Sequence, residues 1–278
     1  MMTSIDPAYL RPRLLCRAEE SHKGDYGHLL VVAGCQLMPG AAVLATGAAL
    51  RSGCGLVTLH STERALQAVV VRDPSAMLSE DPGEGFSRMP ASMDRYTAVA
   101  VGPGLGRSDG VRELTRSVIR EYPGLLVLDA DALWAVSEDP AVLREAAGRV
   151  IVTPHLGEFH RMGAELTGER LCDAGAFARK YGCVTLLKGH RSVIAFPEGE
   201  AYIIAAGNPG MARGGSGDVL TGVVAALLGQ RPMEEAVVSA AWIHAAAGDA
   251  CAAEKGEYGM TPTDIIEKLP FVMKGITR

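Results

Sequence analysis

The stretch LLVVAGCQLMPGAAVLATGAAL, Leu29–Leu50, carries no charge and is long enough to span a membrane. Its interior argues against that reading. Gly34, Gln36, Pro39, Gly40 and Gly47 interrupt it, and Pro39 breaks any helix running through from Leu29. A strand, a loop and a helix fit better: HLLVVA (residues 28–33) as a strand buried on both faces, and Ala41–Arg51 as the helix. No membrane partner is expected.

The same alternation recurs downstream. Short apolar runs at Leu56–His60, Ala98–Val101, Leu125–Leu128, Val150–Val152 and Val184–Leu187 read as strands. Helical spacing appears at Glu63–Arg72, Val111–Glu121 and Leu171–Tyr181. Strands alternating with helices predict an α/β fold: a central, mostly parallel sheet with helices on both faces. Ser192–Phe196 and Ala201–Ile204 flank Pro197-Glu198-Gly199-Glu200, which predicts an antiparallel hairpin at one side of the sheet. Asp218–Leu228 and Glu234–Ala253 read as helices rich in small residues. The second of these, with Trp242, suits either internal packing or a subunit interface. Ser79–Met93 is expected to be a mobile loop, and the first 25 or so residues an arm or short helix. Residues 1–278 are read as one domain.

Composition excludes several classes. The chain is 48% apolar and 21% charged, which is globular rather than disordered. Its 27 basic and 32 acidic residues give −5, so no nucleic-acid partner is expected. The cysteines at 16, 35, 54, 172, 183 and 251 form no Cys-x-x-Cys pair, and Met1–Leu15 has no apolar signal core. The expected location is cytoplasmic, with free thiols. The 33 glycines imply many tight turns and backbone that approaches a ligand closely.

Five segments are candidates for chemistry. In GNPGMARGGSGDVLTG (Gly207–Gly222), Gly214, Gly215 and Gly217 precede a helix, where converging N–H groups and the helix dipole suit an anion. Asp218 then falls in the first helical turn, as a reacting group or a helix stabiliser. The segment is neither a Walker A loop nor a dinucleotide fingerprint. Gly102-Pro103-Gly104-Leu105-Gly106 follows a strand, as a ligand-binding turn or a plain connection. Thr153-Pro154-His155-Leu156-Gly157-Glu158 offers His155 to a ligand and Glu158 to a metal-bound water. His155 and His160 are five apart and do not share a helix face, so no protein metal site is expected. Lys188, Arg191 and Ser192 offer donors for phosphate, or form a solvated turn. Asp129 and Asp131 suit Mg²⁺ or a ribose, with Asp131 equally suited to cap a helix. Together these favour a nucleotide-dependent enzyme acting on a hydroxyl.

Taken in order, GNPGMARGGSGDVLTG, PGAAVLATGAALRSGCGLV (Pro39–Val57), VGPGLGR (Val101–Arg107), LDADAL (Leu128–Leu133), TPHLGE (Thr153–Glu158) and LLKG (Leu187–Gly189) resemble the ribokinase-like superfamily. Within it they resemble the ADP- or ATP-dependent (S)-NAD(P)H-hydrate dehydratases, from about Lys23 to Pro270. The resemblance implies a ribokinase-like fold. It implies a nucleotide site formed by Lys188, Gly189, His190, Arg191, Ser192, Gly215, Ser216 and Gly217. Ala42, Gly104, His155 and Asp218 would face the hydrated dinucleotide, with Asp218 as catalytic base. It further implies ADP (or ATP) as phosphoryl donor, Mg²⁺, a homotetramer, and a separate epimerase, since about 25 residues before the first strand leave no room for a fused one. Arg213 stands where the family usually has Thr, and Leu156 where it often has Pro. Arg213 is then either a further phosphate contact or turned outward. The alternatives are a kinase of the same superfamily acting on a vitamin-precursor alcohol, and a non-catalytic nucleotide sensor.

Overall fold

The computed structural model describes residues 5–14, 17–83, 86, 89–90 and 92–277. Among these residues nine strands form one sheet: β1 (His28–Val32), β2 (Leu56–Ser61), β3 (Met77–Glu80), β4 (Ala98–Val101), β5 (Leu125–Leu128), β6 (Val150–Val152), β7 (Val184–Leu187), β8 (Val193–Ala195) and β9 (Ala201–Ile203). Their order is β3-β2-β1-β4-β5-β6-β7-β8-β9. The first seven run parallel, and β8 and β9 add antiparallel. The predicted fold class is the observed one.

Among the described residues ten helices connect and cover the strands: α1 (Pro7–Leu10), α2 (Pro39–Arg51), α3 (Glu63–Arg72), α4 (Asp109–Glu121), α5 (Ala130–Val136), α6 (Leu156–Arg161), α7 (Arg170–Tyr181), α8 (Ser216–Leu228), α9 (Met233–Gly259) and α10 (Pro262–Thr277). Short 3₁₀ turns stand at Lys23–Tyr26, Pro140–Ala146 and Pro209–Met211.

Each strand is apolar on both sides because helices cover both. Leu29 and Val31 of β1 join a core with α2, α3, α8, α9 and α10. Leu30 and Val32 of the same strand join the opposite core, with α4, α5, α6 and α7. This period-two division is the physical reason the strands read as continuous apolar runs. Leu29–Leu50 is a strand, a turn and a helix, as expected. The helix whose length and apolarity would allow a membrane crossing is α9, and two-thirds of its apolar window is buried within the fold. Trp242 of that helix packs against the first core, which is the internal-packing alternative.

Three features differ from the sequence reading. Ser79 and Glu80 pair with β2 as part of β3, and Phe86 is buried. The expected loop Ser79–Met93 therefore begins later, and its residues 84–85, 87–88 and 91 lie outside the described residues, as does Cys16. β3 was illegible because its burial does not alternate, being an exposed edge. Finally, α10 was not anticipated: Pro262 starts it well, but Pro270 inside it reads as a breaker.

The chain leaves β1 to build β2 and β3 on one side, then returns to add β4 and the rest on the other. The crevice at the carboxyl ends of β1 and β4 is the point where such sheets open a ligand site. The Gly34 N–H donates to the Pro103 carbonyl at 2.7 Å, tying the loops after β1 and β4 together there.

Candidate active site

Four predicted segments meet at the carboxyl ends of the parallel strands. Asp129 ends β5, His155 follows β6, Lys188 follows β7, and Gly215–Asp218 open α8. They line one cavity of about 760 Å³. Gly189, His190, Arg191 and Ser192 line it too, as do Gly207, Asn208 and Arg213.

The glycine loop is built for close approach. Asp249 of α9 accepts from Gly207 N and from Asn208 Nδ2, both at 2.9 Å. Asn208 Oδ1 then caps the following turn by accepting from Gly210 N. Gly215, at φ +99°, is the N-cap of α8, and a Cβ there would lie 2.6 Å from Leu44. A side chain is therefore excluded twice over, by conformation and by space. Gly215–Asp218, which open α8, line the cavity, and a helix start of this kind is suited to phosphate, although Ser216 N already donates to the Arg213 carbonyl at 3.3 Å.

Beneath that turn lies a charged cluster. Lys188 Nζ donates to Asp129 Oδ1 at 2.6 Å and lies 3.9 Å from Glu158 Oε2. Thr221 Oγ1 donates to the other Asp129 oxygen at 2.7 Å. Asp129 is 1% exposed, so its charge is met wholly by these partners. A Cβ on Gly217 would sit 3.2 Å from Lys188 Nζ, which places the ammonium directly under the glycine loop. Burial alone would lower the Lys188 pKa, but Asp129 and Glu158 hold it above its ordinary value and keep the ammonium charged.

Asp218 is pushed up to about 7. Burial is the largest cause and the negative charge of Asp129 the next, with Lys188 opposing. A carboxyl poised near neutrality, beside a cation and a phosphate-shaped loop, is suited to take a proton from a hydroxyl.

His155 is the N-cap of α6. Its Nδ1 accepts from Gly157 N and Glu158 N, while Glu158 accepts from His155 N at 2.9 Å. Its ring is half-exposed, with Nε2 3.5 Å from Glu158 Oε1. Glu158 is thus committed to a capping box and to Lys188, rather than to a metal-bound water. Leu156 is exposed at the start of this helix, so the helix begins without the proline.

Not every expected residue reaches the cavity. Gly104 stands in the turn after β4 at φ +63°, where a Cβ would fall 2.6 Å from Ala41. Ala42, beside it, is fully buried under Gly34, so its side chain presents no surface to a ligand. These two residues mark the neighbouring crevice at β1 and β4, not the main cavity. Ser216 does line the cavity, and its buried hydroxyl has no hydrogen-bond partner. Asp131 neither caps α5 nor stands free. It accepts from Gly106 N at 2.9 Å and lies 3.4 Å from Arg107 Nε. Arg213 is exposed at the cavity rim and donates to the Tyr258 carbonyl.

Sequence reading missed three contributors. Arg170, at the start of α7, donates to the carbonyls of Leu187, Lys188, His190 and Arg191 and so clamps the loop after β7. Thr221 is hidden inside an apolar helix. His244 of α9 lines the cavity, with Nε2 buried and unpartnered; burial keeps its ring neutral, with a pKa of about 4. None carries a local signal, because each acts across 17 or more residues of sequence.

Among the described residues no group of three His, Cys, Asp or Glu side chains is arranged to hold a metal ion. Asp129, Asp131 and Glu158 are already committed to protein donors. A Mg²⁺ ion would therefore be held by nucleotide phosphates and water, as that ion commonly is.

Residues 29–271 match a family model described as NAD(P)H-hydrate dehydratase. A bifunctional NAD(P)H-hydrate repair enzyme from Moorella thermoacetica is 38% identical, over 98% of this chain and 54% of its own length. The chain spans about half the length of the curated relatives it matches first. An ADP-dependent (S)-NAD(P)H-hydrate dehydratase from Bacillus subtilis is 35% identical, over 96% of each chain. A solved structure of the Bacillus subtilis ADP/ATP-dependent NAD(P)H-hydrate dehydratase, co-crystallised with ATP and Mg²⁺, superposes with a TM-score of 0.86. It is 32% identical and covers 98% of this chain and 97% of that one.

Proposed function

This chain belongs to the NAD(P)H-hydrate dehydratase family, and from that premise we propose that it dehydrates the S epimer of hydrated NADH or NADPH at the expense of ADP, giving NAD(P)H, AMP and phosphate. The observation that carries the reading is the placement of Asp218: in the first turn of α8, beside Lys188, with a pKa of about 7.

The substrate carries its hydroxyl on the carbon next to the ring nitrogen. Asp218 takes the hydroxyl proton as the oxygen attacks the terminal phosphoryl of ADP. The bond from that phosphorus to the bridging oxygen breaks, and AMP leaves. The N–H groups of Gly215, Ser216 and Gly217 and the ammonium of Lys188 face the charge spread over the transferring oxygens. Phosphate is a far better leaving group than hydroxide. The ring nitrogen's lone pair expels it, and loss of a proton from the adjacent carbon restores the reduced ring. Mg²⁺, when bound with the nucleotide, supplies neutralisation of phosphate charge.

The loop Lys188, Gly189, His190, Arg191 and Ser192, clamped by Arg170, is assigned to the same nucleotide. Arg191 keeps φ +53° at the cavity wall, and non-glycine strain of this kind clusters at ligand sites. His155, in the cavity, and Gly104, with Ala42 behind it at the neighbouring β1/β4 crevice, are assigned to the dinucleotide. We further propose a cytoplasmic location, in keeping with the free thiols of Cys35, Cys54, Cys172, Cys183 and Cys251. A homotetramer and a separate epimerase acting upstream complete the reading.

A kinase of the same superfamily would use the same base and phosphate loop but release a phosphorylated alcohol. Product analysis separates the two. Orthophosphate and AMP in equal amounts, with no phospho-ester remaining, support the dehydratase; a stable phospho-alcohol would replace it with the kinase.

A further inference from the structure

Leu128-Asp129-Ala130-Asp131 ends β5 between the two halves of the site. Its carboxylates point to different neighbours. Asp129 reaches Lys188 and, through Thr221, the body of α8. Asp131 reaches the backbone N–H of Gly106, at the end of the turn after β4. That turn in turn rests on Ala41 of α2 and bonds to Gly34 after β1. Between the two carboxylates, Ala130 adopts φ +46°, a left-handed conformation that a Cβ disfavours. A non-glycine residue stays there only when its surroundings over-determine it. The over-determination is visible: one carboxylate is locked on each side.

We propose that Asp129 and Asp131 form a two-armed bracket that sets the phosphoryl half of the site in register with the dinucleotide half. The assignment of the two halves rests on the function proposed above. Asp129 is 1% exposed, with both oxygens taken by Lys188 and Thr221. It is a positioning residue acting through Lys188 and α8. Asp131 positions the turn holding Gly104.

The bracket also sets charge. The groups facing Asp218 are Asp129 and Asp131 at the end of β5, Lys188 at the end of β7 and Glu158 of α6. Removing the Asp129 charge takes away the like charge that raises Asp218. It also frees Lys188 to approach Asp218, which lowers Asp218 further.

The test uses the full chain with ADP, Mg²⁺ and hydrated NADH. In Asp129→Asn, kcat falls about 100-fold, as misplacement of reacting groups does, while KM for ADP does not rise. The Asp218 carboxyl, followed by carbon NMR and assigned through Asp218→Asn, titrates lower by about one pH unit or more. A merely structural role leaves that titration unmoved, and an unmoved titration or unchanged kcat overturns the first arm. If Asp129→Asn does not fold, Thr221→Val cuts the tie to α8 and keeps the ion pair. It should lower kcat about tenfold, and an unchanged kcat overturns the arm. Asp131→Ala should raise KM for hydrated NADH about tenfold and leave KM for ADP within about twofold; an unchanged KM for the hydrate overturns the second arm. Absence of turnover in the unaltered chain would sink the proposed function alone, because the Asp218 titration is read without turnover.

Discussion

At the scale of single residues, the environment of Asp218, the base proposed here, sets its pH behaviour. Its pKa is about 7, raised first by burial and then by Asp129. A base must be ionised, so kcat/KM for the hydrate should climb with pH to a plateau with a midpoint near 7. A midpoint below 5 would assign the proton to another group. Asp218→Asn should cost about 10²–10⁴ in turnover while ADP still binds. The same shift has a stability consequence. The folded protein holds this proton up to about 7, whereas the unfolded chain releases it near 3.8. Between these values the native state binds more protons, so stability falls as pH rises. Asp218→Asn removes that loss. Its melting temperature should match the parent's near pH 4, rise above it as pH approaches 7, and keep a constant gap beyond. A gap that closes with rising pH would reverse the sign. Asp218 was legible in the sequence because a glycine run before a helix is a local pattern. Its partners Asp129 and Lys188 were each visible, but nothing in their spacing said that they meet, 59 residues apart.

At the scale of elements, the site depends on two close approaches. α8 packs on α2 at Gly222, where a Cβ would fall 2.2 Å from the Ala45 carbonyl oxygen. Gly222→Val should therefore destabilise by about 2–3 kcal/mol through overpacking, read as a lower denaturant midpoint at unchanged slope. A neutral result would mean that the two helices part easily. The second approach is the clamp of Arg170 on the loop after β7. Its hydrogen bonds go to four carbonyls, so the loop's shape is set from behind. Arg170→Met should weaken ADP binding about tenfold by calorimetry, with little change in melting temperature. Equal affinity would show that Lys188–Ser192 holds its own shape. Among elements, β1, β4, β5, β6 and β7 were readable as apolar runs because both their faces are buried. β3 was not, since an exposed edge strand carries no pattern, and Pro270 disguised α10. Arg170 was unreadable because a long side chain clamping backbone carbonyls needs no particular neighbours in sequence.

At the scale of the whole molecule, the sheet explains why the cavity and the β1/β4 crevice lie side by side. Parallel strands bring the turns after β4, β5, β6 and β7 to one edge, and the reversal between β1 and β4 opens the crevice that holds Gly34 and Gly104. The antiparallel pair β8–β9 extends the other side, next to the Lys188–Ser192 loop. Lys188–Ser192 and the glycine loop with Asp218 thus gather in the cavity, and the small-residue turns at the neighbouring crevice. The most direct measurement places hydrated NADH, Mg²⁺ and either ADP or ATP with the protein in parallel tubes and follows the absorbance band of the reduced nicotinamide. The band should return only with nucleotide present, and faster with ADP. No return with either nucleotide, from folded protein shown to bind ADP, would contradict the proposed function.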